Sequence, residues 1–324
     1  MLIRMKYLFY LLFLLPFISF AQIASYSFNE NLNDDINNQT GLFNPKSCCD
    51  FHGTGHCAGI SADLGVDVCN LPKEISAKNF ISEGDNKILS LGLFDYVELP
   101  NSVNSQIDIN KSFVLDFKFK IPSIGWSEDN TNEFIRTIVG NAEFDQRSTG
   151  FTVSIVKYYE DGLPKYNLLV YVGGKEDPLA DVAGQRFMLK RIDLDTWVDF
   201  SMAFVFDEQF PNIIFNIDGA REKMFFDEDW PNIEMPAFKN ALKNEQIYIG
   251  ADKGWSSRFI RWQEGERTGP LLIDDLKIYS PKPPGDSNKI KNILTLFKNS
   301  ILGNQSLTQT EKESYYSIFL DNWD

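Results

Sequence analysis

Apolar and polar residues alternate along much of this chain. Phe113, Leu115, Phe117, Phe119 and Ile121 occupy every second position, with Val114, Asp116, Lys118 and Lys120 between them. Neighbouring side chains of a strand point to opposite faces, so this segment offers one apolar face and one largely polar face. Further strand runs are 151–156 (FTVSIV), 166–172 (YNLLVYV), 198–206 (VDFSMAFVF), 212–217 (NIIFNI), 246–250 (QIYIG) and 271–279 (LLIDDLKIY). Turn signals lie between them at Glu160-Asp161-Gly162, Gly173-Gly174, Asp218-Gly219 and Gly269-Pro270. No helical period is evident before about residue 285. Many strands without interleaved helices predict an all-β, antiparallel sandwich or barrel over 22–280 rather than an α/β fold.

The pattern changes at 281–285 (PKPPG), where the proline density predicts a stiff extended linker. Beyond it Ile290, Ile293, Leu294, Phe297, Ile301 and Leu302 fall on one helical face. Thr308 and Glu311 have capping-box spacing for a second helix carrying Tyr315, Ile318 and Phe319. Residues 286–324 are therefore expected to form a short C-terminal helical hairpin. So small a segment buries little apolar surface alone, which calls for docking on the sandwich or on a partner.

At the other end, Arg4 and Lys6 precede an uncharged apolar run of 14 residues, Tyr7 to Phe20. Ser19-Phe20-Ala21 supplies small residues at the −3 and −1 positions of a cleavage site. Residues 1–21 are read as a secretory signal peptide, since a spanning helix needs roughly 20 apolar residues. Gln22 stands where a lipoprotein would carry Cys. The protein is expected to be secreted or at the cell surface, with no membrane span after signal cleavage.

Composition narrows the partners. Asp and Glu exceed Lys and Arg by 45 to 31, a formal charge of −14. Such a surface repels phosphate backbones, so nucleic acid is excluded as a favoured partner. The 27 Phe and 12 Tyr suit aromatic-rich strands.

Four segments in order resemble the laminin G-like/concanavalin A-like lectin superfamily, particularly its bacterial LamG-type jelly rolls. Residues 24–38 (ASYSFNENLNDDINN) are similar to the opening strand and Asp/Asn-rich turn of that family. Residues 91–100 (LGLFDYVELP) resemble its DGxDDYVEIP strand. In 195–219, Trp197 opens a strand pair ending in Ile217-Asp218-Gly219, similar to a W-x-H-x-A…Y-x-D-G hairpin, with Asp199 where His is usual. Ile247–Gly250 with Ile273–Tyr279 is similar to the closing IG…IDDVRIY. The resemblance spans about 23–280 and implies the fold more than a function, because this scaffold hosts lectins, adhesins, glycosidases and spacers. Trp197 and Tyr279 are read as core packing, and Asp218-Gly219 as a structural turn.

The resemblance also implies a structural calcium where the first turn meets the last strand. The oxygen donors available are Glu30, Asp34 and Asp35 in the turn, and Asp274 and Asp275 in the strand. Strand alternation allows at most one of the last pair to face the ion. A second cluster holds every cysteine, Cys48, Cys49, Cys57 and Cys69, with His52 and His56 inside the same segment. An exported context favours two disulfides over a zinc-type site. A vicinal bridge would be strained, leaving 48–57 with 49–69, or 48–69 with 49–57.

For ligand binding, the loop 252–269 carries Trp255, Arg258, Arg261 and Trp262. Tryptophan faces stack on sugar rings and guanidinium groups donate to hydroxyls, so glycan recognition is expected there. Trp126 and Trp230 lie in other polar loops. No strand carries an E-x-D-x-x-E pattern for a hydrolytic carboxylate pair, no nucleophile triad is present, and no glycine-rich phosphate loop occurs. The sequence therefore predicts a carbohydrate-binding module rather than an enzyme. An adhesive or structural module contacting a surface protein is the alternative, and a glycoside hydrolase or lyase on the same scaffold the second.

Overall fold

A computed structural model describes residues 20–52, 57–58, 61, 67–92, 95–110, 112–123, 134–142, 149–173, 184–206, 212–225, 235–251, 270–281 and 308. Its strands, in chain order, are β1 (Phe20–Tyr26), β2 (Leu42–Phe43), β3 (Phe80–Glu83), β4 (Asn86–Leu91), β5 (Val97–Glu98) and β6 (Ser112–Lys120). They continue with β7 (Phe134–Gly140), β8 (Gly150–Glu160), β9 (Leu163–Gly173), β10 (Gly184–Arg191) and β11 (Val198–Val205). The last four are β12 (Asn212–Ile217), β13 (Ala220–Phe225), β14 (Tyr248–Ile249) and β15 (Leu271–Pro281). Short helices are α1 (Cys48–His52), α2 (Asn101–Ser105) and α3 (Met235–Asn244).

The protein is an all-β sandwich. One sheet runs β13-β12-β11-β6-β15-β4-β3, with β1 also paired to β15, and the other runs β10-β9-β8-β7-β14-β5-β2. Phe113, Leu115, Phe117 and Phe119 of β6 face inward and are buried, as the alternation requires. They meet Phe151, Val153 and Ile155 of β8 and Leu168, Val170 and Val172 of β9 in one continuous core. Ring packing is dense at one end, where Phe204 lies 4.9 Å from Phe238, 5.9 Å from Phe151 and 6.1 Å from Phe113.

Phe238 belongs to α3, a helix that the sequence reading did not anticipate. Only Phe238, Ala241 and Leu242 of its ten residues are buried, at i, i+3 and i+4. Its C-terminal carbonyls, which lack partners within a helix, are met from the sandwich. The Asn104 amide donates to the oxygens of Leu242 (3.1 Å) and Glu245 (2.6 Å), and the Asn141 amide donates to Ala241 (3.2 Å).

β7 contributes an inward charge. Arg136 is fully buried, and its guanidinium donates to the carbonyl of Gly92 at 2.9 Å. Loss of solvent pulls its pKa down to about 10, and the nearby Asp95 carboxylate opposes that fall. Asp95 itself accepts from the Asn44 amide and the Gly92 N–H, both at 3.0 Å. This polar knot ties β7 of one sheet to the end of β4 in the other.

Residues 1–19 of the expected signal peptide 1–21, residues 282–285 of the expected linker, and the expected helical hairpin, Thr308 apart, lie outside the described residues. Among the described residues no helix is long and apolar enough to cross a membrane.

Candidate functional site

Four adjacent strands, β12, β11, β6 and β15, turn their polar positions to the outer face of the first sheet. Register fixes which side chains meet. One row runs Lys277, Asp116, Ser201, Asn216 across the four strands. The next row sets Asp274 opposite Lys118 and Lys118 opposite Asp199. These rows floor a groove of about 480 Å³, lined also by Gly219, Asp275 and Tyr279. Phe117 and Phe200 line it by their backbones, because their rings pack at a tilt with centroids 5.0 Å apart in the core.

A β-bulge sets the phase of the last strand. Asp274 opposes Lys118 and Lys277 opposes Asp116, so Asp275 and Leu276 together face one residue of β6. Asp275 takes a left-handed conformation with φ 53°. Leu276 then points into the core, and Lys277 and Tyr279 point out. This corrects the expectation that strict alternation sends Asp274 and Asp275 to opposite faces. It also corrects the reading of Tyr279 as core, since its ring borders the groove.

Charges in the groove are partly paired. Asp275 receives Lys118 at 3.3 Å and Lys277 at 3.6 Å, so one carboxylate serves two ammonium groups. Asp116 is half-buried, and loss of solvent lifts its pKa above the usual carboxylate range. The Ser201 hydroxyl and the Lys277 charge hold that rise back. Burial and the Asp116 and Asp275 charges push the Tyr279 phenol up as well. Asp199 is exposed, and its backbone N–H donates to Asp218 at 2.9 Å.

Trp197 is not core either. Its indole N–H donates to Glu83 at 2.5 Å, and the Lys120 ammonium lies 4.9 Å from the ring centroid while pairing with Glu83. The ring is thus engaged by a cation rather than by the core.

The residues named for calcium do not converge. Asp34 is buried, but its carboxylate accepts from the backbone N–H of Ser25, Ile36 and Asn37 and from the Asn37 amide, at 2.7 to 3.2 Å. Four donors meet that carboxylate. Glu30 is exposed and pairs with Lys87 at 3.4 Å. Asp35 accepts from Ser27, and Asp274 accepts from the Asp275 N–H. Among the described residues, the only group of three such donors within mutual reach is Cys49, Cys57 and Cys69. Those sulfurs are committed to disulfides, Cys48 to Cys57 and Cys49 to Cys69, one of the two pairings left open by the sequence. With Val68, Tyr96, Tyr248 and Ala251 they form a satellite core beside the second sheet. Trp255, Arg258, Arg261 and Trp262, along with Trp126, Trp230 and His56, lie outside the described residues.

Sequence reasoning missed Asp116, Lys118, Asp199, Ser201, Asn216 and Lys277 as a site. The polar half of the 113–121 alternation was the available signal, and it became a site once neighbouring strands supplied polar halves in register.

No family model matches the chain, and no curated protein matches it. Solved structures do match. The binding domain of botulinum neurotoxin DC in complex with rat synaptotagmin II is 12% identical, with 86% of this chain and 52% of that chain covered and a TM-score of 0.40. The chain spans about half the length of that toxin domain. Alginate lyase vAL-1 from Chlorella virus is 10% identical over 62% of this chain and 88% of that one, with a TM-score of 0.36. An endo-1,3-beta-glucanase from Streptomyces sioyaensis is 10% identical over 64% and 80%, with a TM-score of 0.39. The expectation that the chain is not an enzyme is corrected here. Alginate lyases and an endo-1,3-beta-glucanase stand among the structures it is similar to.

Proposed function

We propose that this is an exported carbohydrate-binding protein of the LamG-type jelly-roll kind, with its ligand groove on the outer face of the first sheet. The groove itself carries the reading. Carboxylates, ammonium groups, an amide, a hydroxyl and a phenol converge from four strands on one open trough of about 480 Å³. Sugars need such a density of directional donors and acceptors, and a ring at the rim for their apolar faces. Strands hold these groups more firmly than loops would. Two disulfides suit an oxidising, extracellular setting.

Polysaccharide cleavage at the same groove is the second reading. Burial lifts the Asp116 carboxyl as a general acid requires, on the strand beside exposed Asp199.

A glycan array followed by titration tests both. Tyr279→Ala and Lys118→Ala should each weaken binding by at least about tenfold, or ~1.4 kcal/mol. Binding that ignores both variants but fails in Trp255→Ala or Trp262→Ala moves the site to the 252–269 loop. Release of reducing or unsaturated ends, lost in Asp116→Asn, selects the second reading.

A further inference from the structure

We infer that this groove selects glycans bearing protonated amines over neutral N-acetylated ones, and rejects uronates. The inference rests on the groove being the glycan site. Its basis is how the charges are already spent. Both groove lysines, Lys118 and Lys277, turn to the single carboxylate of Asp275. Asp116 and Asp199 are left, on neighbouring strands, displaced diagonally by one step of the ladder: Asp116 opposes Ser201 and Asp199 opposes Lys118. Neither has an ion pair within 4.0 Å among the described residues. Three carboxylates against two ammonium groups leave the lining one negative charge in excess. The nearby Asp218 is cancelled by Lys190 at 2.7 Å.

A sugar ammonium entering between Asp116 and Asp199 gains two acceptors without breaking an ion pair. Tyr279 at the rim adds an aromatic face that attracts cations. Asn216, and the Ser201 oxygen as an acceptor, remain for uncharged hydroxyls. A uronate meets the same two carboxylates and gains a cation only by breaking the Asp275 pairs. The chain's charge of −14 extends that preference to the approach path.

The test titrates the full chain at low salt with three oligosaccharides of equal length. These are a β-1,4-glucosamine oligomer below the pKa of its amines, its N-acetylated form, and an oligomannuronate. The amine form should bind at least about tenfold more tightly than the N-acetylated form, and the uronate should not bind. Asp116→Asn/Asp199→Asn, isosteric changes on an outer face, should erase the difference between the first two, and added salt should narrow it. Equal binding of all three, weakened throughout by Tyr279→Ala, overturns the charge selectivity and leaves the groove as the glycan site. No binding of any sugar, or binding indifferent to every groove variant, overturns both. Capture of an oligolysine peptide in place of the amino sugar also overturns the inference.

Discussion

Phe204→Ala is the sharpest probe of how the sandwich is held together. Phe204 is completely buried and touches both sheets and α3 at once. Its ring partners are Phe113 at 6.1 Å from β6, Phe151 at 5.9 Å from β8, Phe206 at 6.2 Å and Phe238 at 4.9 Å from α3. Truncating a buried Phe costs about 3–5 kcal/mol through lost transfer energy and the residual cavity. Each aromatic pair adds about 0.5–1.5 kcal/mol beyond area burial. Rigid walls on three sides leave little room for collapse, so the upper end applies, about 5 kcal/mol. For a domain of this size that lowers Tm by about 10–20 °C. The measurement is urea unfolding with scanning calorimetry, and amide exchange at Ala241 and Leu242, which should lose protection along with the sheets. Phe204→Leu, which keeps most of the volume, should cost about 1.5 kcal/mol and supplies the number if the Ala variant does not fold. A loss below about 2 kcal/mol for the Ala variant, or exchange at α3 unchanged, would refute the idea that this ring joins the three layers.

Two further outcomes follow from charge and covalent links. The raised pKa of Asp116 means the folded state holds that proton more tightly than the unfolded chain does, so ionisation at neutral pH weakens the fold. That contribution is present at acid pH and lost as pH rises through the raised value. Asp116→Asn should therefore gain about 0.5 kcal/mol at neutral pH, after allowance for solvent screening, with no gain at acid pH; urea midpoints along a pH series measure it. The disulfides close sequence separations of 9 and 20 residues, worth about 3 kcal/mol each in chain entropy. Their satellite core is distinct from the main one, so Cys49→Ser/Cys69→Ser should expose amides near 44–52 and Tyr96 to exchange while β8 and β9 stay protected. Uniform loss of protection across both regions would contradict that partition.

Much of the fold was readable from alternation alone. β6, β8, β9, β11, β12 and β15 each show a run of inward apolar residues, and each forms near its expected place. β7 escaped because its interior holds Arg136 and Thr137, both buried, and a buried guanidinium breaks the pattern that marks a strand. α3 escaped because only Phe238, Ala241 and Leu242 of its decapeptide are buried, too short a stretch of helical period to stand out; the Asn104 and Asn141 amides that finish it come from distant segments. The groove was legible only in pieces. Asp116 and Lys118 were seen as a polar face, but pairing them with Asp199 and Lys277 requires knowing that β6 lies between β11 and β15. The carboxylates of the first turn were legible as ion-binding chemistry but not as hydrogen-bond acceptors. Asp34 accepts from Ser25 of β1 as well as from Ile36 and Asn37 of the turn, contacts that only the folded turn brings together.

The extra residue in the closing strand has a consequence for how such a surface changes over time. Deleting Asp275 would restore plain alternation, with Leu276 opposite Phe117 and Lys277 still opposite Asp116, so Ile278 would stay inside and Lys277 and Tyr279 outside. What would go is the one carboxylate that holds Lys118 and Lys277, so a single-codon deletion would free both ammonium groups while leaving the walls of the trough in phase.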